Sequence, residues 1–202
     1  MIRIYLIAIL AFLLASAIRA QDDTALQRLE TGDDSRGWEA VGRLELAGSG
    51  FCTGALIAPD QVLTAAHCLF DKTTGARIAL DRIEFRAGWR NGRAEAYRKV
   101  RQAVMHPDYA YDDNVAMTRV RHDLALLELA RPLRTTRITP FETDDAPLPG
   151  TRIGVVSYAK GRAEVPSLEQ VCRVMWRKTG VLVMSCDVDF GASGAPVFAF
   201  RD

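Results

Sequence analysis

From Trp38 onward the chain never keeps apolar residues at helical spacing for more than a turn. It runs instead in short β-rich stretches cut by Gly, Pro, Asn and Asp. AVGRLEL alternates, whereas GALIA, QVLTAA and LALLEL are brief and apolar; only AAHCLF could hold a helical turn. Many short strands with turns between them predict an all-β barrel or sandwich. RIEFRAGW and AEAYRKVRQAV flank RNGR, where Asn91 and Gly92 suit the positive φ values of a type I′ hairpin turn. Residues 131–150 hold four prolines and little pattern, which predicts a surface linker between two halves. Strands resume at RIGVVSYA, SLEQVCRVMWRK and GVLVMSC.

The N-terminus is of another kind. MIRIYLIAILAFLLASAIRA has a basic start (Arg3), an apolar core from Ile4 to Ala17 and small residues suited to cleavage, so residues 1–20 read as a secretory signal peptide. Its apolar run is short of the roughly 20 residues that span a membrane, leaving an uncleaved anchor as the alternative. Residues 21–36 are polar and read as a flexible N-terminal segment or short propeptide. The whole chain has 26 basic and 25 acidic residues. Removing Arg3 and Arg19 leaves a near-neutral protein, so charge points to neither nucleic acid nor, after signal cleavage, a membrane as partner.

Export gives the four cysteines a context. An even count in an oxidising compartment argues for disulfides. Cys172 and Cys186 are symmetric about Thr179 in KTG, so they should face each other across an antiparallel hairpin. That leaves Cys52 with Cys68, a bridge worth about 3 kcal/mol in the chain-entropy model. With no CxxC and only three histidines, no zinc site is expected. FDKTTGARIALD lacks an acidic cluster, so no calcium site and no cofactor are expected either. His106 and His122 read as structural or surface residues.

His67 in LTAAHC, Asp123 in RHDLALLEL and Ser193 in GASGAP are each unremarkable alone. Together they supply what acyl transfer needs: a weak nucleophile, a base to take its proton, and a carboxylate to hold the base's tautomer. Gly191, two residues before Ser193, lets the loop turn N–H groups toward a developing oxyanion. The order His, Asp, Ser is one known for this chemistry, and it differs from the Ser, Asp, His order of α/β-hydrolases.

FCTGALIAPDQVLTAAHC, RHDLALLEL and DFGASGAPVF resemble the signature segments of the chymotrypsin/trypsin-like serine peptidases. The resemblance implies two antiparallel six-stranded β-barrels with the active site between them. The first would span residues 37–130 and the second, 151–202, would be incomplete. It implies His67 as general base, Asp123 as its orienting carboxylate and Ser193 as nucleophile. The N–H groups of Gly191 and Ser193 would form the oxyanion hole, and Cys52–Cys68 would be the disulfide beside the histidine. Protein or peptide substrates are expected, with activity falling as pH drops through an imidazole pKa near 6.5.

Three departures bear on that expectation. Where zymogen-activated members carry an aspartate before the nucleophile this chain has Ala192, so activity should not depend on a new N-terminal ammonium; cleavage after Arg36 is not demanded. In this the loop is similar to the bacterial glutamyl endopeptidase branch. Asp187, six residues before Ser193, could either bind a substrate Lys or Arg or pair locally, and it would repel an acidic side chain. The family continues past the nucleophile loop with further strands and a closing helix, whereas nine residues follow Ser193 here. An incomplete, inactive piece of a longer peptidase is one expectation and an abbreviated enzyme another; a catalytically silent binding module on the same barrels is the rival from a different class.

Overall fold

The computed structural model describes residues 26–48, 50–111, 117–178 and 180–200. The expected signal peptide lies outside the described residues. Six strands form the first half: β2 (Val41–Leu46), β3 (Phe51–Ala58), β4 (Gln61–Thr64), β5 (Ile83–Ala87), β6 (Ala96–Met105) and β7 (Ala125–Leu129). They close into a barrel in the order β2-β3-β4-β7-β6-β5, each neighbour antiparallel. On β5 and β7 burial alternates residue by residue, as period-2 side chains require when one face meets a core. Leu44, Leu56, Ile83, Phe85, Leu127 and Leu129 fill the interior, and each such side chain contributes roughly 1.5–3 kcal/mol by leaving water. The turn after β5 takes the expected form, with Asn91 at φ 48° and Gly92 at φ 84° between bridged Arg90 and Arg93.

The second half is a sheet built from β1 (Gln27–Arg28), β8 (Arg152–Ala159), β9 (Arg162–Lys178), β10 (Val181–Met184) and β11 (Val197–Ala199). Its order is β1-β9-β8-β11, with β10 also paired to β9, and among the described residues it does not close. The architecture is therefore the two-barrel all-β plan with its second barrel open. One short helix, α1 (Met117–His122), was not legible in advance, since six residues are too few to show an apolar stripe. No helix among the described residues is long and apolar enough to cross a membrane.

The stretch 21–36, expected to be flexible, is docked from Gln27 onward. β1 pairs with Leu168 and Ser167 of β9, and Leu29 is only 1% exposed. Thr31 and Asp34 exchange backbone-to-side-chain hydrogen bonds that fold the following turn. Buried Leu29, the pairing with β9 and the Arg90 hydrogen bonds to Thr31 and Ser35 together hold it. The linker 131–150 is likewise tied down at points: Leu133 and Ile138 are buried, and the N–H groups of Leu133 and Phe141 bond to Pro59 and Leu56 carbonyls.

Both expected disulfides form, Cys52–Cys68 with Cα atoms 6.2 Å apart and Cys172–Cys186 at 4.9 Å. The second arises differently from the symmetry argument. Val181 pairs with Lys178, so the register is not centred on Thr179, which lies outside the described residues. Continued without interruption, that register would set Cys172 opposite Asp187. An irregularity between Val183 and Met184 shifts the pairing by one, Met184 meeting Val174, and brings Cys186 opposite instead.

Among the described residues three strands have stretches buried on both faces: β3 from Cys52 to Leu56, β8 from Ile153 to Ala159 and β9 from Val165 to Glu169. They mark the junction of the halves. A cluster of Leu29, Val41, Trp89, Val156, Tyr158 and Leu168 spans it, and the Tyr158 hydroxyl donates to the Trp89 carbonyl at 2.8 Å. Burial pushes that phenol well above its ordinary value, so it stays a neutral donor.

Candidate active site

His67 stands on a 3-10 turn, Ala66–Leu69, that follows β4 directly. Ala66, Cys68 and Leu69 are buried, which turns His67 outward. Cys68 anchors the turn to β3 through its bridge to Cys52. β4 runs antiparallel to β7 with Thr64 opposite Ala125. Residues just after Thr64 therefore meet residues just before Ala125, and this register brings His67 to Asp123. One Asp123 oxygen accepts the His67 backbone N–H at 2.8 Å; the other lies 2.6 Å from His67 Nδ1. The two side chains remain 22% and 19% exposed.

Burial alone pushes the Asp123 carboxyl upward, but the hydrogen bonds from the His67 ring and backbone outweigh it, and the group titrates below its ordinary 3.8. Asp123 is thus an anion across the working pH range. It fixes the imidazole with Nδ1 toward the carboxylate and Nε2 on the far side. The neighbouring Tyr109 phenol is raised by burial and further by the Asp123 charge.

Ser193 comes from the other half of the chain, on the loop between β10 and β11. Thr53, fully buried in β3, holds that loop in place. Its N–H donates to the Ser193 carbonyl at 2.9 Å, its hydroxyl donates to the Gly191 carbonyl at 2.9 Å, and the same hydroxyl accepts the Tyr158 N–H. Thr64 closes the set by donating its hydroxyl to the Thr53 carbonyl. The Ser193 carbonyl also approaches Cys68 Sγ, one residue from His67. Gly194 fits only as glycine: φ is 78°, and a Cβ would collide with Thr64 Oγ1, the Thr53 carbonyl and the Ala65 nitrogen. Gly191, at φ 99°, would likewise collide with the Phe51 ring.

His67 and Asp123 are thus joined directly, and the Ser193 loop is tied to the same region through Thr53 and Cys68. The histidine–aspartate pair is hydrogen-bonded, whereas no hydrogen bond joins Ser193 Oγ to His67 in this conformation. Such bonds often tighten only when substrate binds. Among the described residues the N–H groups of Gly191 and Ser193 have no acceptor, while those of Ala192 and Ala195 close turns within the loop.

Beside Ser193 opens a cleft of about 440 Å³ with Met184, Val188, Asp189, Phe190 and Val197 in its walls. Asp187 is not among its lining residues. Its backbone N–H is held by both carboxylate oxygens of buried Glu169, while the residue itself is exposed. Thr53 and Asp189 escaped the sequence reading. A threonine inside FCTGAL was visible as a polar residue in an apolar run, but nothing local showed that its partners lie over a hundred residues away.

A family model described as trypsin-like peptidase domain matches residues 48–202. The glutamyl endopeptidase of Bacillus licheniformis is 25% identical over 150 residues, 74% of this chain and 45% of that protein. Serine protease 23 of Homo sapiens is 29% identical over 163 residues, 73% of this chain and 42% of that one. The chain spans less than half the length of these curated relatives. Among solved structures, a Glu endopeptidase superposes with TM-score 0.63 at 18% identity, covering 86% of this chain and 80% of that one. A human heparin binding protein superposes at 0.66 with 16% identity, covering 87% and 80%. At these identities the superpositions speak for the fold.

Proposed function

This chain belongs to the trypsin-like peptidase family, and we propose that it is a secreted serine endopeptidase acting through an acyl-enzyme. In this reading Ser193 Oγ attacks the scissile carbonyl while His67 Nε2 takes its proton. Asp123, on the Nδ1 side, holds the required tautomer and stabilises the imidazolium as it forms. The N–H groups of Gly191 and Ser193 receive the developing oxyanion. His67 then returns the proton to the leaving amine as the scissile C–N bond breaks and leaves the acyl ester on Ser193, and water repeats the sequence to release the acid and restore the serine. A substrate side chain entering the cleft meets Asp189, which favours a cationic group over an acidic one.

The observation that carries the reading is the two-pronged grip of Asp123 on His67, backbone and ring together, a geometry a general base needs and a surface histidine does not. Treating the protein with a fluorophosphonate and locating the adduct by mass spectrometry tests it. Labelling at Ser193 is expected, and Ser193→Ala should lose on the order of 10⁶ in kcat on a peptide substrate. A folded protein that takes no label would instead be a peptidase-like binding module.

A further inference from the structure

Just before Asp123 in the chain, the end of α1 meets the end of β6. His106 follows β6 and His122 closes α1, and their rings stack with centroids 4.4 Å apart at 13°. Asp108 lies two residues beyond His106. One ligand atom each from His106, Asp108 and His122 fall within 4.8 Å of one another. Both imidazoles are half-buried and the carboxylate is exposed, so the group opens to solvent on one side.

The backbone already holds the cluster in shape. The His106 N–H donates to the Leu124 carbonyl and its own carbonyl accepts the Tyr109 N–H. The Asp108 N–H donates to His106 Nδ1 at 3.2 Å. An Nδ1 that accepts this long hydrogen bond is unprotonated, and a metal ion takes its lone pair in place of the Asp108 N–H. Two imidazoles and one carboxylate suit zinc and its neighbours rather than calcium or magnesium, which prefer all-oxygen shells. With ligand bonds near 2.0–2.1 Å, tetrahedral geometry sets ligand atoms about 3.4 Å apart, so small ring rotations close the site.

We propose that His106, Asp108 and His122 form a binding site for a zinc-class divalent ion. His122 immediately precedes Asp123, so drawing its ring toward the metal shifts the carboxylate that holds His67. Resting on the function proposed above, metal loading therefore slows acylation of Ser193. Spacing hides this site, since fifteen residues separate the two histidines in the chain.

The test uses the full chain with metal alone. Cobalt(II) titration should develop a visible absorption band at one ion per chain, and zinc should compete it away. His106→Gln and His122→Gln should each weaken zinc by more than the roughly tenfold that losing even an outer partner costs. Asp108→Asn, at an exposed position, guards against misfolding and should weaken binding too; circular dichroism confirms the fold of all three. Absence of binding up to millimolar metal, or affinity unmoved by these changes, overturns the site. Zinc should slow fluorophosphonate labelling of wild type and leave His106→Gln unaffected; binding without slowing overturns the coupling. If Ser193 never labels, the proposed function fails while the cobalt titration still decides the site.

Discussion

His67 and Asp123 hang from a barrel in which every strand has two partners, whereas Ser193 rides a loop of a sheet whose last strand, β11, is paired on one side only among the described residues. In the barrel the register of β4 on β7 is enough to bring base and carboxylate together. Among the described residues the open sheet has no equivalent closure, and its Ser193 loop takes its position from the other half, through Thr53 and the Cys52–Cys68 corner. The lesson is that the closed unit acts as the template and the open one is referenced to it. Chemistry shared between two units needs only one of them to be rigid if the other is bonded to it at the reacting residue.

Disturbing the template should have the largest effect. Asp123→Asn keeps the shape but loses the charge and the tautomer control, and should lower kcat on the order of 10⁴, measured on a peptide substrate. It should also change acid stability. The folded Asp123 titrates below 3.8, so its carboxylate contributes stability fully present above that pH and lost as pH falls through the lowered value. Urea midpoints between pH 2 and 5 should fall steeply for wild type and less steeply for Asp123→Asn. Parallel curves would mean the carboxylate is not held as described.

Opening the two disulfides separately compares the halves directly. Cys52→Ala with Cys68→Ala, and Cys172→Ala with Cys186→Ala, close loops of similar length and should each cost about 3 kcal/mol in denaturant unfolding. The first pair should slow Ser193 labelling more, because it loosens both the histidine turn and the strand that holds the loop. Equal slowing would place the reference point in the open sheet instead. The smallest effect is expected for Thr53→Val, which leaves the Gly191 carbonyl and the Tyr158 N–H without their buried partner at a cost of about 1–3 kcal/mol. Its labelling rate should drop although none of the three reacting side chains has changed. An unaltered rate would show that the loop is positioned by its own turns.

Much of this was legible beforehand where the signal is local. The Asn91–Gly92 turn, the alternating strands of the barrel and the motifs around His67, Asp123 and Ser193 all rest on residues within a few positions of one another. The Cys172–Cys186 pair was legible for an incomplete reason, since its symmetry about Thr179 matches the outcome only because an irregularity offsets a register not centred there. Leu29 misled in the opposite direction: the few apolar residues in QDDTALQRLETGDDSR carry too little pattern to announce a strand and a buried anchor.

Residue order alone determined the strand-forming stretches, the four cysteines as two bridges and the three candidate residues His67, Asp123 and Ser193, because each depends on periodicity, turn chemistry or a motif within one short segment. Tertiary structure alone decided that Thr53 grips the Ser193 loop, that Asp189 faces the cleft while Asp187 is held by Glu169, and that His106 stacks on His122. Those are contacts between segments distant in the chain, set by strand register and the packing of two halves, and no local pattern encodes a distance across a junction.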